Sequence, residues 1–229
     1  MVFYLWAAAA AAAFAIVTAW VLLPLARWIP ARIERQWHAE AELHALQELG
    51  EVQRTQLPGY PHSWVVALGA LLCFAALASY GWNSLGAAAC LYFFAQLLLL
   101  TINVRDVLLP DMVVLPTLWG ALLLHAANGQ AAEHIYSTAI AYGAPFALTQ
   151  LIKRASGSEL MGNGDIKTFA MAGAWFGLAA LPVLFGAFVL SITLHGAWVQ
   201  LQKRGTRLLP SGPAHMAASL ACMVYSQMR

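Results

Sequence analysis

Asp165 ends the short sequence Gly162-Asn163-Gly164-Asp165, at the point where a long apolar stretch begins. An ionisable side chain at such a boundary is costly to keep in a membrane protein, which makes Asp165 a functional-site candidate. The two glycines would let the backbone turn tightly and approach a substrate chain closely. A structural role is also open, because a carboxylate at a helix start accepts free N–H groups and meets the positive end of the helix dipole. The two roles are compatible.

A second polar cluster runs from Asn103 to Asp111, at the end of another apolar stretch. Asp106 is a candidate partner for Asp165, since it follows Asn103 by three residues and shares its face if the helix continues that far. Asp111 follows Pro110, where its carboxylate would stabilise the start of the next helix. The cluster therefore offers one amide and two acids for a site shared with Asp165.

Two further charged residues flank Asp165. Lys167 could pair with Asp165 or with a substrate, although a lysine near the end of a span also serves as a topology anchor. Glu159 could meet a basic substrate segment or remain a solvated loop carboxylate. The histidines and the three cysteines have no spacing typical of a metal site, so we predict neither a metal nor a cofactor.

The composition indicates a membrane protein. Of the 229 residues, 61% are hydrophobic and 10% are charged, against about 25% charged in soluble proteins. The net charge of +2 is small and its basic residues are scattered, which argues against nucleic-acid binding. At about 20 residues per span the chain has room for about eight transmembrane helices in one helical domain, 1–229. The apolar stretches are 3–26, 63–80, 85–102, 112–127, 136–152, 168–180, 183–200 and 212–227.

The basic residues predict the orientation of these spans. With the N-terminus outside, eleven of the twelve Lys and Arg residues fall on one side and only Arg229 on the other. That side is cytoplasmic by the positive-inside rule. Both polar clusters are therefore predicted at cytoplasmic ends of spans.

A polar segment, 27–62, separates the first two predicted spans. Ile33, Trp37, Ala41 and Ala45 recur at a spacing of four, which predicts a cytoplasmic amphipathic helix beginning after Pro30 and ending near Gly50. Such a helix commonly lies on the membrane surface. Its glutamates could instead attract a basic partner.

Three blocks of the chain resemble a known family. The stretch from Glu159 to Gly177, ELMGNGDIKTFAMAGAWFG, resembles the signature of the type IV prepilin peptidases, intramembrane aspartic proteases of the Gly-x-Gly-Asp class. The other two blocks are Leu109-Pro110-Asp111 with Leu115-Pro116 and Leu118-Trp119, and Leu209-Pro210-Ser211-Gly212-Pro213.

The resemblance implies a multi-pass protein of the bacterial inner membrane whose active site faces the cytoplasm. Its substrate would be a prepilin, from whose apolar helix a basic leader is removed. Two aspartates activate water and protonate the leaving group in this family. Asp165 matches the second of them. The position of the first lies seven residues before Pro110, where this chain has Asn103. An amide cannot act as a general base, so the resemblance implies an inactive form.

Many family members also carry a cysteine-rich zinc region after the first span and methylate the new N-terminus. The segment 27–62 has no cysteine, which leaves zinc and methyl transfer unsupported. Two alternatives remain open: a non-catalytic prepilin-binding protein of pilus assembly, and a small proton- or cation-coupled transporter. The oligomeric state and the particular prepilin are left undetermined by the sequence.

Overall fold

The chain is an all-α polytopic membrane protein. The computed structural model describes residues 2–44, 62–157, 160–201 and 209–228, and every regular element within these ranges is helical. The elements are α1 (Val2–Val17), a π-helical turn (Thr18–Leu22), α2 (Leu23–His44), α3 (His62–Tyr80), α4 (Ser84–Asp106), α5 (Asp111–Ala127), α6 (Ala131–Ser156), α7 (Asn163–Phe176), a 3-10 turn (Leu178–Ala180), α8 (Leu181–Leu201) and α9 (Gly212–Gln227).

Each predicted apolar stretch coincides with a helix, which confirms the predicted fold class. Within the described ranges four helical stretches are long and apolar enough to cross a membrane, and α5 is a shorter apolar helix. The four are Ala8–Arg35, Ser63–Tyr80, Ser84–Asp106 and Leu178–Leu201. The count of eight crossings and their orientation stay predictions.

The first span and the helix after it form one continuous helical element. We predicted that a separate helix would begin after Pro30, and this is wrong, because α2 runs through Pro30 to His44. A proline removes one backbone hydrogen bond, and the rest of the helical ladder is retained around it. The π-helical turn lies just before Pro24, where its wider ring relieves the clash that the proline would make with the preceding turn. The predicted end near Gly50 lies outside the described residues.

Two packing clusters make up the core. One is built mainly from α2 to α5, and the other mainly from α8 and α9, with smaller contributions from α6 and α7. Helices α7 and α9 contribute to both, through Met171 and Met216 in the first cluster and Phe169 and Ala218 in the second. These two helices therefore join the halves of the bundle.

Small residues allow the close helix contacts. A Cβ added at Gly173 in α7 would lie 2.6 Å from the Cβ of Ala141 and 2.9 Å from the carbonyl oxygen of Ser137, both in α6. Lipid is as apolar as leucine, so helices in a membrane associate through close packing rather than through hydrophobic exclusion. Gly173 thus sets the spacing of α6 and α7.

A buried polar network ties α4 to α9. Gln96 donates to the hydroxyls of Tyr92 and Ser219, each at 2.9 Å. The two hydroxyls lie 2.8 Å apart. Because an unpaired polar group in a membrane interior is costly, this satisfied network fixes the register of the two helices.

Candidate active site

Asp165 lies in the first turn of α7 and uses both carboxylate oxygens. Its Oδ2 accepts a hydrogen bond from the backbone N–H of Gly162 at 3.3 Å. Its Oδ1 accepts one from Nε2 of His215 in α9 at 3.1 Å. The side chain is 17% exposed. Asp165 thus stabilises the helix start, as predicted, and also reaches across to another helix.

Asn103 lies in the last turns of α4 and meets the same end of α9. It is 2% exposed, and its Oδ1 accepts a hydrogen bond of 2.7 Å from the backbone N–H of Gly212. Ser211, the residue before Gly212, lies close enough to Asp165 to lower the pKa of its carboxyl. The first turn of α9 therefore connects the two residues that the sequence singled out, although they are 62 positions apart.

Gly212 permits this contact. A Cβ at this position would lie 3.0 Å from the Cβ of Asn103 and 3.2 Å from the Cα of Leu100. Such a contact is tighter than side chains normally tolerate, so any larger residue would push α9 away from α4. Steric crowding thus explains why a glycine occupies position 212 in the third sequence block.

The charge on Asp165 reflects opposed effects. Burial raises the pKa of its carboxyl, whereas the hydrogen bond and the charge of His215 lower it, with smaller contributions from Ser211 and the N–H of Gly162. The net pKa lies below the ordinary value. Asp165 is therefore an anion at neutral pH, held by donors on α7 and α9.

His215 is the site residue that sequence reasoning missed. It is 2% exposed, and its ring packs between those of Phe169 and Phe188, with centroids 4.8 Å and 4.6 Å away. A single histidine 50 residues from Asp165 carries no spacing signal. The available signal was its position two residues after the block that ends at Pro213. Within the part of the chain that the structure describes, no group of three or more metal-ligating side chains is present.

The other acidic candidate of this cluster has a different neighbour. Asp106 ends α4 and lies 3.4 Å from the guanidinium of Arg105. Its buried Oδ2 makes no hydrogen bond to the residues that the structure describes. Asn103, by contrast, bonds directly to the α9 turn that also holds Asp165. Asn103 and Asp165 thus contact the same part of α9.

Lys167 pairs with Asp111 in the structure, not with Asp165. Its Nζ lies 2.5 Å from Oδ2 of Asp111, and the two side chains are 31% and 52% exposed. Asp111 opens α5 directly after Pro110, which is the N-cap residue and is buried. The pair links the start of α5 to the start of α7. Glu159 lies outside the described residues.

The two motif glycines do not form the tight turn that the sequence predicted. Gly162 has φ −75° and ψ 159°, which any residue can adopt. A Cβ at Gly164 would lie 3.0 Å from the Cβ of Leu109, so this glycine allows α7 to approach the chain just before Pro110. The close approach made by Gly164 is thus to the protein's own backbone region, next to the second sequence block.

The arrangement joins one carboxylate, one imidazole and one amide at a single helix end. The carboxylate could accept a proton from water, but the amide cannot share or supply one as a second carboxyl would. Both can still hydrogen-bond a peptide group. Of the three side chains, only Asp165 is a carboxylic acid.

Residues 90–199, just under half of the chain, match the Type IV leader peptidase family. Several similar proteins are each called prepilin leader peptidase/N-methyltransferase. The one from Aeromonas salmonicida (strain A449) is 33% identical over 137 residues, which cover 58% of this chain and 46% of that protein. The one from Stutzerimonas stutzeri is 29% identical over 202 residues, covering 86% and 64%. The one from Neisseria gonorrhoeae is 32% identical over 139 residues, covering 59% and 47%.

Each match covers only part of this chain and only part of the relative. The chain spans about half the length of most of these relatives, from 46% to 64% of each. The matched family region contains Asn103, Pro110 and Asp165, whereas His215 lies beyond it. No solved structure matches the chain significantly.

Proposed function

We propose that this chain binds prepilin-like precursors on a prepilin leader peptidase scaffold, because its residues 90–199 match the Type IV leader peptidase family. The site faces the cytoplasm at the bacterial inner membrane. Its partner is a precursor with a basic leader and an apolar helix that stays in the bilayer. Asn103 disables the leader cleavage that two aspartates would perform.

The observation that carries this proposal is the shared contact of Asn103 and Asp165 with the first turn of α9. Asn103 bonds to Gly212, and Asp165 bonds to His215 three residues later. An aspartate at position 103 would keep the same acceptor for the Gly212 N–H, because Asn and Asp have nearly the same shape. The site is thus built for a dyad and lacks one of its two carboxyls.

Proton exchange explains why this substitution matters. One carboxylate must take a proton from the attacking water while the other supplies one to the oxyanion or leaving amine. Two adjacent carboxyls share a proton and separate their pKa values, which an amide beside a carboxylate cannot do. Asp165 alone, held as an anion, retains half of this chemistry.

The test is restoration of the missing acid. Asn103→Asp in the full chain is expected to turn on leader cleavage of a pilin-like precursor of the source organism, co-expressed in membranes and followed by gel shift and N-terminal sequencing. Asn103→Gln is the matched control, because it keeps an amide. Asn103→Asp/Asp165→Asn should be silent. No cleavage by Asn103→Asp would contradict the peptidase scaffold.

The Asp106 assignment is tested in the same assay. If Asp106 is the working partner of Asp165, the unaltered chain cleaves precursor and Asp106→Ala abolishes that activity. We expect instead no cleavage by the unaltered chain, and full cleavage by Asn103→Asp/Asp106→Ala.

A binding role without cleavage is the second candidate, favoured by the amide at Asn103 and by an anionic Asp165 that already accepts hydrogen bonds from Gly162 and His215. It predicts that tagged chain and uncleaved precursor co-purify from membranes. If they co-purify and Asn103→Asp also stays silent, the chain is a prepilin-binding assembly protein rather than a disabled peptidase.

A further inference from the structure

An apolar cleft opens beside the candidate site. Helix α4 packs against both α3 and α9, and the space over α4 between those two helices holds a cavity of about 560 Å³. Its lining includes Val65 and Leu68 of α3, Leu97 and Leu100 of α4, and Ala217 and Leu220 of α9. We call this space the α3–α9 cleft.

Among the residues that the structure describes, the cleft is closed at one end and open at the other. At the C-terminal ends of α3 and α9, the hydroxyls of Tyr80 and Ser226 lie 3.2 Å apart. At the opposite ends the cleft reaches Trp64 and Pro213. The cleft thus lies toward the end of the bundle that carries Asn103 and the first turn of α9, which is the predicted cytoplasmic end.

The open end adjoins the candidate site directly. Leu100 and Thr101 line the cleft and lie one helical turn or less before Asn103, while Pro213 follows Gly212, the donor to Asn103. Any segment lying in the cleft and leaving it at this end would pass next to the Asn103 side chain. This continuity distinguishes the cleft from the exposed apolar side chains elsewhere on the helices.

The lining suits an apolar helix. The Thr101 hydroxyl donates to the carbonyl of Leu97 at 2.7 Å and so needs no outside partner. Ala217 lies among larger residues on α9, and small residues at such positions let a neighbouring helix approach closely. An apolar helix laid into a groove between helices is a recurring recognition mode.

We propose that the α3–α9 cleft binds the apolar helix of the prepilin-like precursor and aims its leader junction at Asn103 and Asp165. This inference rests on the proposed function and names the surface by which the substrate is held. The basic leader then lies outside the bilayer, beyond the open end of the cleft. The closed end fixes the direction in which the substrate helix enters.

Site-directed cross-linking tests the occupant. A photoreactive leucine analogue at Leu68, inside the cleft, is compared with one at Leu71, which is on the same helix and 62% exposed. The probe is a tagged pilin-like precursor of the source organism, co-expressed with the full chain. We expect the precursor to cross-link from position 68 and not from position 71.

A filling substitution gives an independent measurement. Ala217→Phe occupies the cleft, whereas Val224→Phe adds similar bulk on the same helix at a site already 57% exposed. Ala217→Phe is expected to lower the amount of co-purified precursor at least about tenfold, and Val224→Phe to leave it unchanged. In the Asn103→Asp background the same pair should differ equally in cleavage.

The outcomes separate the two proposals. Cross-links from position 68 only to lipid, to a second copy or to residues 45–61 of the chain itself would overturn the cleft assignment. So would equal precursor capture by Ala217→Phe and Val224→Phe. If precursor binds and Asn103→Asp cleaves it while the cleft variants have no effect, the proposed function is supported and the cleft assignment is wrong. If no precursor binds and none is cleaved, both proposals fail.

Discussion

The environment of Asp165 has two opposed effects on the pKa of its carboxyl. Burial favours the neutral acid, while His215, Ser211 and the N–H of Gly162 favour the anion. The donors prevail, so the folded protein holds this carboxyl at a lowered pKa. This balance makes the pH dependence of stability a direct readout of the site.

The expected sign follows from linkage. A carboxyl with a lowered folded pKa stabilises the fold fully above its unfolded pKa, and the contribution is lost as the pH falls through the folded pKa. The stability advantage of the unaltered protein over Asp165→Asn should therefore shrink as the pH falls below the ordinary value of 3.8. Thermal unfolding in detergent across acid to neutral pH measures it.

The partner residue supplies the control for that titration. His215→Phe removes two of the effects that lower the pKa of Asp165, the imidazole hydrogen bond and the imidazole charge. The advantage over the corresponding Asp165→Asn double variant should therefore shrink less in acid than it does in the unaltered protein. If the stability difference between the unaltered protein and Asp165→Asn instead grew in acid, burial would outweigh the donors. That result would contradict the lowered pKa of Asp165.

The Lys167–Asp111 ion pair should matter much less. Both side chains are partly exposed, at 31% and 52%, and exposed pairs contribute about 0–1 kcal/mol. Asp111→Asn is expected to reduce the free energy of unfolding by less than about 1 kcal/mol, with the difference shrinking further in high salt. A loss well above this, measured by thermal unfolding, would show that the pair is a structural anchor of the site.

At the scale of elements, the site depends on how closely α7 and α9 approach their neighbours. Gly164 meets Leu109, Gly173 meets Ala141, and Gly212 meets Asn103. At each of these three glycine positions the contact leaves no room for a larger side chain. The helices that carry Asp165 and His215 are therefore positioned by residues that contribute almost no surface of their own.

Gly173→Ala tests this argument. The added Cβ would lie under 3.0 Å from Ala141 and from the backbone of Ser137, so α6 and α7 must separate and stability should fall by about 1–3 kcal/mol. Gly143→Ala is the matched control in α6, where an added Cβ meets nothing within 4 Å. It should be neutral or slightly stabilising. Equal melting temperatures for the two variants would contradict the close-packing argument.

Val107 offers an opposite test at the end of α4. It is the only non-glycine with positive φ in the described residues, at 52°, and a β-branched residue is strained there. Val107→Gly should raise stability by up to about 1 kcal/mol, because glycine adopts this conformation without the steric cost. Val104→Gly, in the right-handed part of the same helix, should lower it. Thermal unfolding compares the two.

The sequence predicted helices well because apolar runs of this length have few other structures available in a membrane. It predicted Asp165 because a charge interrupts such a run. It missed the continuity of α2 through Pro30, because a proline can end or only bend a helix and its own sequence does not show which. It also missed His215 and the Lys167–Asp111 pair, because both contacts join helices whose proximity depends on packing.

At the scale of the whole molecule, the candidate site lies where the two halves of the bundle meet. Helices α7 and α9 contribute side chains to both packing clusters, and their N-terminal turns carry Asp165, Ser211 and Gly212. A site at this junction is held by both halves. Its location in the membrane then decides which compartment its substrate comes from.

Single-cysteine labelling tests that location. Gly162→Cys is exposed and its Cβ would make only ordinary contacts, while Asn128→Cys lies in the opposite, charge-poor connection. The native cysteines Cys73, Cys90 and Cys222 are buried and give little background. The positive-inside distribution predicts that a membrane-impermeant thiol reagent labels position 128 in intact spheroplasts and position 162 only after the membrane is opened. Labelling of position 162 from outside would put Asp165 on the wrong side of the membrane for a precursor whose basic leader remains in the cytoplasm.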